Sequence, residues 1–356
     1  MPAQLLMTPG PTPLPPQVRK ALGARPVHHR SEEFAAAFAE LSSGLKRVFR
    51  TENPVIVMSS TGSGAMEAAA ANIMSSGDRA LVISNGVFGD RWNYILKAFG
   101  VPFETLRFPD GETFQVEKAG EAISSGKFKA VFCTHLETST GTLNPVREIA
   151  ALAARHGAMT VLDAISSVAV EELETDLWGV DVVIASSAKG LMNPVGLAFA
   201  SLSPRAVAAM SGNASPRFYF DFRIYLDMLR KNQTPFSAPS GHVFAQLEAV
   251  RMLLASGMES VWAGTRGKAL LSRKLASKLG LELFSAMPAN GLTALKAPLG
   301  TDASEIVARM HAKFGIIIAN GQLELRGKIF RIAHMGHIRA GDVRRAYKGL
   351  ANVISK

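Results

Sequence analysis

The stretch VDVVIASSAKGLMNPVG, Val180 to Gly196, decides the fold. Its first half is apolar and β-branched, the composition of a strand buried on both faces. Then comes a single lysine, Lys189, among small residues. An ammonium placed just past a core strand has to reach water or take part in chemistry that uses a desolvated amine. The segments upstream supply partners for such a strand. VIVMSS precedes the Ala-rich helical segment GAMEAAAANIM, RALVISN precedes DRWNYILKAFG, AVFCTHL precedes VREIAALAARHG, and MTVLDA follows. Strands alternating with helices at this spacing predict an α/β fold with a largely parallel sheet covered on both faces.

Around TPFSAPSGH the pattern changes, and a helical stretch from Phe244 leads into GLTALKAP, GIIIANG and KIFRIAH, short strands set between helices. The predicted organisation is an N-terminal arm over residues 1–17, a large α/β domain over 18–243, and a smaller α+β domain over 244–356. The arm is proline-rich from Pro9 to Pro16 and should run extended with few ladder bonds of its own.

Composition narrows the function. With 356 residues, 47% hydrophobic and 19% charged, the chain can bury a large core. No apolar run approaches the roughly 20 residues of a bilayer span, and the start has no charged segment followed by a long apolar one. The expectation is a cytoplasmic protein that binds no membrane. The formal charge of +10 is spread along the chain, and its densest stretch, RGKALLSRKLASK, has the period of a solvated helix rather than of a nucleic-acid surface. Cys133 is the only cysteine and lies in an apolar strand, so neither a disulfide framework nor a Cys-based metal cluster is expected. Neighbouring histidines at His28 and His29 point to opposite sides of an extended segment with no carboxylate cluster beside them, so no metal site is expected there either.

In parallel α/β sheets ligands bind beyond the carboxyl ends of the strands. At one such end, SSTGSGAMEA passes through Thr61, Gly62, Ser63 and Gly64 into a helix whose free amides suit a phosphate. At another, Asp163 closes MTVLDA, as a helix cap or as the partner of a cationic ligand atom. Lys189 follows a third and Phe88 a fourth. A desolvated amine attacks carbonyls, and together these groups suit pyridoxal phosphate, with its aldehyde, basic ring nitrogen and phosphate.

The order TGSGAMEA, NGVFGDRW, HLETSTGTLNPVREI, VLDAISS, SSAKGLMNPVGLAF, NQTPFS and GKIFRIAHMGH resembles the class V, fold-type I aminotransferases, closest to their alanine-glyoxylate, serine-glyoxylate and serine-pyruvate branch. The resemblance runs from Thr8 almost to the C-terminus. It implies a seven-stranded sheet and transfer of an amino group from alanine or serine to glyoxylate or pyruvate. It further implies that Lys189 forms the Schiff base and shuttles the proton, that Asp163 pairs with the pyridinium and that Phe88 stacks on the ring. Gly62, Ser63 and Gly64 would hold the phosphate, and Thr138 the phenolic oxygen. Thr234 would reach the phosphate of a neighbouring subunit, giving a homodimer with shared sites. Arg331 would clamp the substrate carboxylate, beneath the arm at Pro9 and Gly10. Where family members often carry SQK and PPG, this chain has Ala188 and NPVG, which moves phosphate contacts toward Ser186 or Ser187. A 2-aminoethylphosphonate transaminase is the alternative within the class; a desulfurase is a lesser one, since it needs a mobile-loop cysteine as sulfur acceptor and Cys133 lies in a core strand.

Overall fold

The computed structural model describes residues 4–354; the first three residues of the expected arm and the last two of the small domain lie outside it. The central sheet has seven strands, and their order across it runs from Val55–Ser60 through Gly196–Leu202, Val182–Ser186, Met159–Asp163, Ala130–Thr134 and Ala80–Ser84 to Phe103–Arg107. All neighbours are parallel except Gly196–Leu202, which runs antiparallel to both strands it separates. The four strands from Val182–Ser186 to Ala80–Ser84 are buried at every residue, which is why they read as continuous apolar runs.

Helices cover both faces. On one side Glu32–Phe49, Val146–Arg155 and Ser240–Ser256 pack over Val57, Val131, Val183 and Phe199. On the other, the Ala-rich helix Gly62–Ile73 and the helix Val87–Ala98 cover Met58, Val82, Phe132 and Ile184. The alanines of Gly62–Ile73 bring it close enough to touch three strands, Val55–Ser60, Val182–Ser186 and Gly196–Leu202.

The second core belongs to a three-stranded antiparallel sheet, with Ile329–Ala333 between Leu292–Lys296 and Ala319–Asn320, backed by helices Ala303–Phe314 and Ala340–Ile354. The helix Ser240–Ser256, expected at the start of the small domain, packs instead with the first core, against Pro16–Leu22 and Glu32–Phe49. The next helix, Met258–Lys278, sends Met258 and Trp262 into the first core and Ala276 into the second. It is the bridge between the two.

The arm has more structure than its prolines suggest. Leu5–Leu6 pairs in parallel with Ile316–Ile317, and the Ala333 amide donates to the Met7 carbonyl at 2.8 Å. Beyond Met7 the chain turns to the large domain, where the Thr12 amide donates to Ala188 O at 3.2 Å. Gly10 is thereby carried over Lys189. Among the described residues, no helix is long and apolar enough to cross a membrane.

Candidate active site

Asp163 and Ser186 end adjacent parallel strands, in register through Asp163 and Ile184. The turn after Ser186 is tied down by Asn193 N donating to Ser187 O at 2.9 Å and Met192 N donating to Lys189 O at 3.1 Å. Thr12 Oγ1 adds a third bond, to Lys189 O at 2.9 Å. With its backbone held on two sides, Lys189 projects into a cavity of about 290 Å³ lined also by Gly10, Pro11, Thr61, Gly62, Ser63, Phe88, Arg91, Asp163, Ile165, Ser166 and Ser186. The expected lysine, carboxylate, glycine turn and aromatic ring therefore meet in one place. The Lys189 ammonium donates to Pro9 O. A Cβ at Gly10, which has φ +143°, would fall 2.6 Å from Lys189 Cε and 2.8 Å from Cδ, so only glycine lets the arm pass this close.

Burial sets the electrostatics. It lowers the Lys189 ammonium to about 8, with Arg331 and Arg91 adding to the effect and Asp163 opposing it. Burial also raises the Asp163 carboxyl to about 7. One backbone bond, from Ile165 N at 2.9 Å, lowers it; nearby Glu137 raises it, and Arg91 and Lys189 offset that. A carboxyl so little compensated is a site that favours a cationic partner.

The helix Gly62–Ile73 starts at the cavity wall. Thr61 caps it, its hydroxyl accepting from Gly64 N at 3.4 Å, while Gly62 and Ser63 present the first turn to the cavity. A Cβ on Gly62 would press to 2.6 Å from Ile165 Cδ1. Gly64 does not itself line the cavity.

Phe88 opens the helix Val87–Ala98, and the buried Glu137 holds it there. The carboxylate of Glu137 accepts from Phe88 N (3.0 Å), Gly89 N (2.9 Å), Ser139 N (3.0 Å) and Ser139 Oγ (2.5 Å). Neither Glu137 nor Arg91 stands out in the sequence. Arg91 sits three residues after Phe88 with its guanidinium 4.8 Å from the ring centroid.

The other expected residues lie outside the cavity lining. Ser187 is fully buried, its hydroxyl donating to Pro194 O at 2.5 Å and accepting from Leu197 N, so Ser186 is the serine that faces the cavity. Thr138 is buried and its carbonyl accepts from Arg331 Nη1 at 2.7 Å. Arg331 also donates to Asn320 O, at 3.0 Å from Nε and 2.6 Å from Nη2. Among the described residues no carboxylate forms a salt bridge with it. Burial lowers it to about 10, with the charge of Glu137 opposing. Thr234 is buried, with its hydroxyl on Phe236 O at 2.8 Å, and its carbonyl accepts from Arg30 Nη1 at 2.6 Å.

Pyridoxal phosphate fits these groups: an amine for its aldehyde, an under-compensated carboxylate for a protonated ring nitrogen, helix-end amides for phosphate, and an aromatic face. The likeness to known proteins extends to nearly the whole chain. The sequence profile described as Aminotransferase class-V matches residues 8–341. A "Soluble hydrogenase, small subunit" of Synechococcus sp. is 37% identical, over 99% of this chain and 93% of that one. The L-aspartate–glyoxylate aminotransferase of Paracoccus denitrificans is 31% identical, over 94% and 86%. The crystal structure of alanine–glyoxylate aminotransferase from Nostoc sp. superposes with a TM-score of 0.96 at 28% identity, covering 99% of this chain and 96% of its own. With the lysine, the carboxylate and the helix end in place and nearly the full length matched, this chain belongs to the class-V aminotransferases, a pyridoxal-phosphate-dependent family.

Proposed function

We propose that this chain transfers an amino group from a small amino acid, alanine or serine, to a small 2-oxo acid, glyoxylate or pyruvate, using pyridoxal phosphate held around Lys189. The observation that carries the reading is the single cavity in which Lys189, Asp163, Phe88 and the Gly62–Ser63 turn converge. When bound, the cofactor supplies an aldehyde that takes up the amino group and a ring that draws electrons from the substrate α-carbon. Asp163 would hold the proton on the ring nitrogen. Lys189, lowered to about 8, is close enough to neutrality to take a proton from the α-carbon and return it. The arm at Pro9 and Gly10 lies against that amine and keeps bulk water from it. Gly62, Ser63 and Ser186 would bind the phosphate, with Gly64 shaping the turn.

Arg331 would bind the substrate carboxylate. Its guanidinium is buried and braced by two backbone carbonyls, an expensive placement that an ionic ligand would offset. Thr138, whose carbonyl braces it, would reach the phenolic oxygen with its hydroxyl. The names of two relatives pair glyoxylate with aspartate in one and alanine in the other. The hydrogenase name of the third comes with no cysteine cluster in this chain. Cys133 is fully buried and its thiol is pushed up to about 12 by burial, which also removes the mobile thiolate a desulfurase needs.

The reading includes a homodimer with shared sites. Thr234 would serve the partner's phosphate by turning its hydroxyl away from Phe236 O. The test is to add alanine, serine, aspartate and 2-aminoethylphosphonate in turn to the loaded protein. Alanine or serine should bleach the visible absorbance of the cofactor, and glyoxylate or pyruvate should restore it. Bleaching by 2-aminoethylphosphonate alone, or by none, would refute the assignment.

A further inference from the structure

We propose that Arg91 is the anion anchor of the cofactor site: its guanidinium orients the Ser63 hydroxyl toward the ligand's phosphate and supplies the positive charge that balances it. The inference rests on the pyridoxal phosphate reading above. Arg91 lies one turn along the helix from Phe88, on the same face, so its side chain reaches back across the ring. From there Nη1 donates to Ser63 Oγ at 2.9 Å. A hydroxyl has one proton and two lone pairs. Once it accepts from arginine, its own proton is free to turn to an anion at the helix end. Ser63 is thereby fixed as a donor in a turn whose backbone amides already point outward.

Charge balance leads to the same residue. The cavity lining contains two cationic side chains, Lys189 and Arg91, and one carboxylate, Asp163. Lys189 donates to Pro9 O and is the group that meets the aldehyde. Arg331 lies outside the lining, braced by the Asn320 and Thr138 carbonyls, and is assigned above to the substrate carboxylate. Ala188, the neighbour of Lys189 on the cavity wall, has no side-chain donor. Among the described residues Arg91 has no carboxylate within salt-bridge distance, unlike Arg107 on the neighbouring strand, which pairs with Asp90 and Asp110. A guanidinium with spare donors, beside the positive end of a helix, leaves a field that a phosphate dianion would neutralise.

The experiment titrates apoprotein of wild type, Arg91→Gln and Arg91→Lys with pyridoxal phosphate, and separately with pyridoxal, which keeps the aldehyde and lacks the phosphate. Visible absorbance reports binding. Losing one charge-assisted contact should weaken pyridoxal phosphate about 10- to 100-fold in Arg91→Gln, with pyridoxal within about twofold of wild type and Arg91→Lys in between. Retained pyridoxal binding also shows that the variant is folded. Equal weakening of both ligands would assign Arg91 to the ring alone, through Phe88, and overturn the anion role; so would unchanged binding of both. A wild type that binds neither ligand would refute the cofactor reading itself, and the inference with it.

Discussion

Replacing Asp163 by Asn tests the electrostatic design of the site in the absence of any ligand. Asn keeps the acceptor for Ile165 N and the shape of the side chain while removing the charge. The folded carboxyl binds its proton more tightly than an unfolded one, at about 7 against an ordinary 3.8, because burial disfavours the ion. Between those values the native state holds more protons than the unfolded chain, so its stability falls as pH rises. The full gap corresponds to about 4 kcal/mol, and the part between pH 5 and 8 to about 3 kcal/mol. Denaturant unfolding of the two apoproteins, at equal concentration, should show Asp163→Asn gaining about 3 kcal/mol on wild type between pH 5 and pH 8. Pyridoxal phosphate should narrow that lead at pH 8, since its ring nitrogen would meet a carboxylate in wild type and a neutral amide in the variant, weakening binding by about 1.5–3 kcal/mol. A stability difference that stays constant with pH would refute the claim that this carboxylate is buried and uncompensated.

Three other substitutions probe the surroundings. Gly10→Ala should push the arm off Lys189, lowering kcat/KM by at least about tenfold while the unfolding midpoint moves by only a few degrees. Glu137→Ala would strand the four donors that frame Phe88 and should cost about 3 kcal/mol or more in denaturant unfolding. Arg331→Lys keeps a charge but loses the fork braced by Asn320 and Thr138. Steady-state kinetics should show KM for the amino acid rising about tenfold or more, with the cofactor spectrum unchanged.

Much of this site was legible from residue order. Apolar runs bounded by small polar residues located the buried strands, and strand ends are where α/β sheets bind ligands, so Lys189, Asp163, Gly62, Ser63 and Phe88 could be named before their convergence was seen. What stayed hidden depends on the path of a side chain. Arg91 follows Phe88 by three residues in a helix, a spacing that reads equally as a solvated face; only the folded chain shows its guanidinium reaching Ser63. Ser186 and Ser187 differ by one residue at a strand end, and alternation puts one in the cavity and the other on Pro194. Arg331 reads as a free clamp in KIFRIAH, yet backbone carbonyls distant in sequence hold it. The helix Ser240–Ser256 follows a loop-like stretch that reads as a domain boundary, whereas its apolar residues fit the first core, a matter of tertiary packing rather than of period.

The central claim is that the Lys189 amine is the group that holds pyridoxal phosphate. Borohydride fixes a carbonyl ligand onto the lysine that bears it, and mass spectrometry of the digested protein then locates the added mass. The account predicts the addition on the peptide containing Lys189 and none in Lys189→Ala. Label on another lysine, or an unlabelled Lys189 in protein saturated with cofactor, would contradict it.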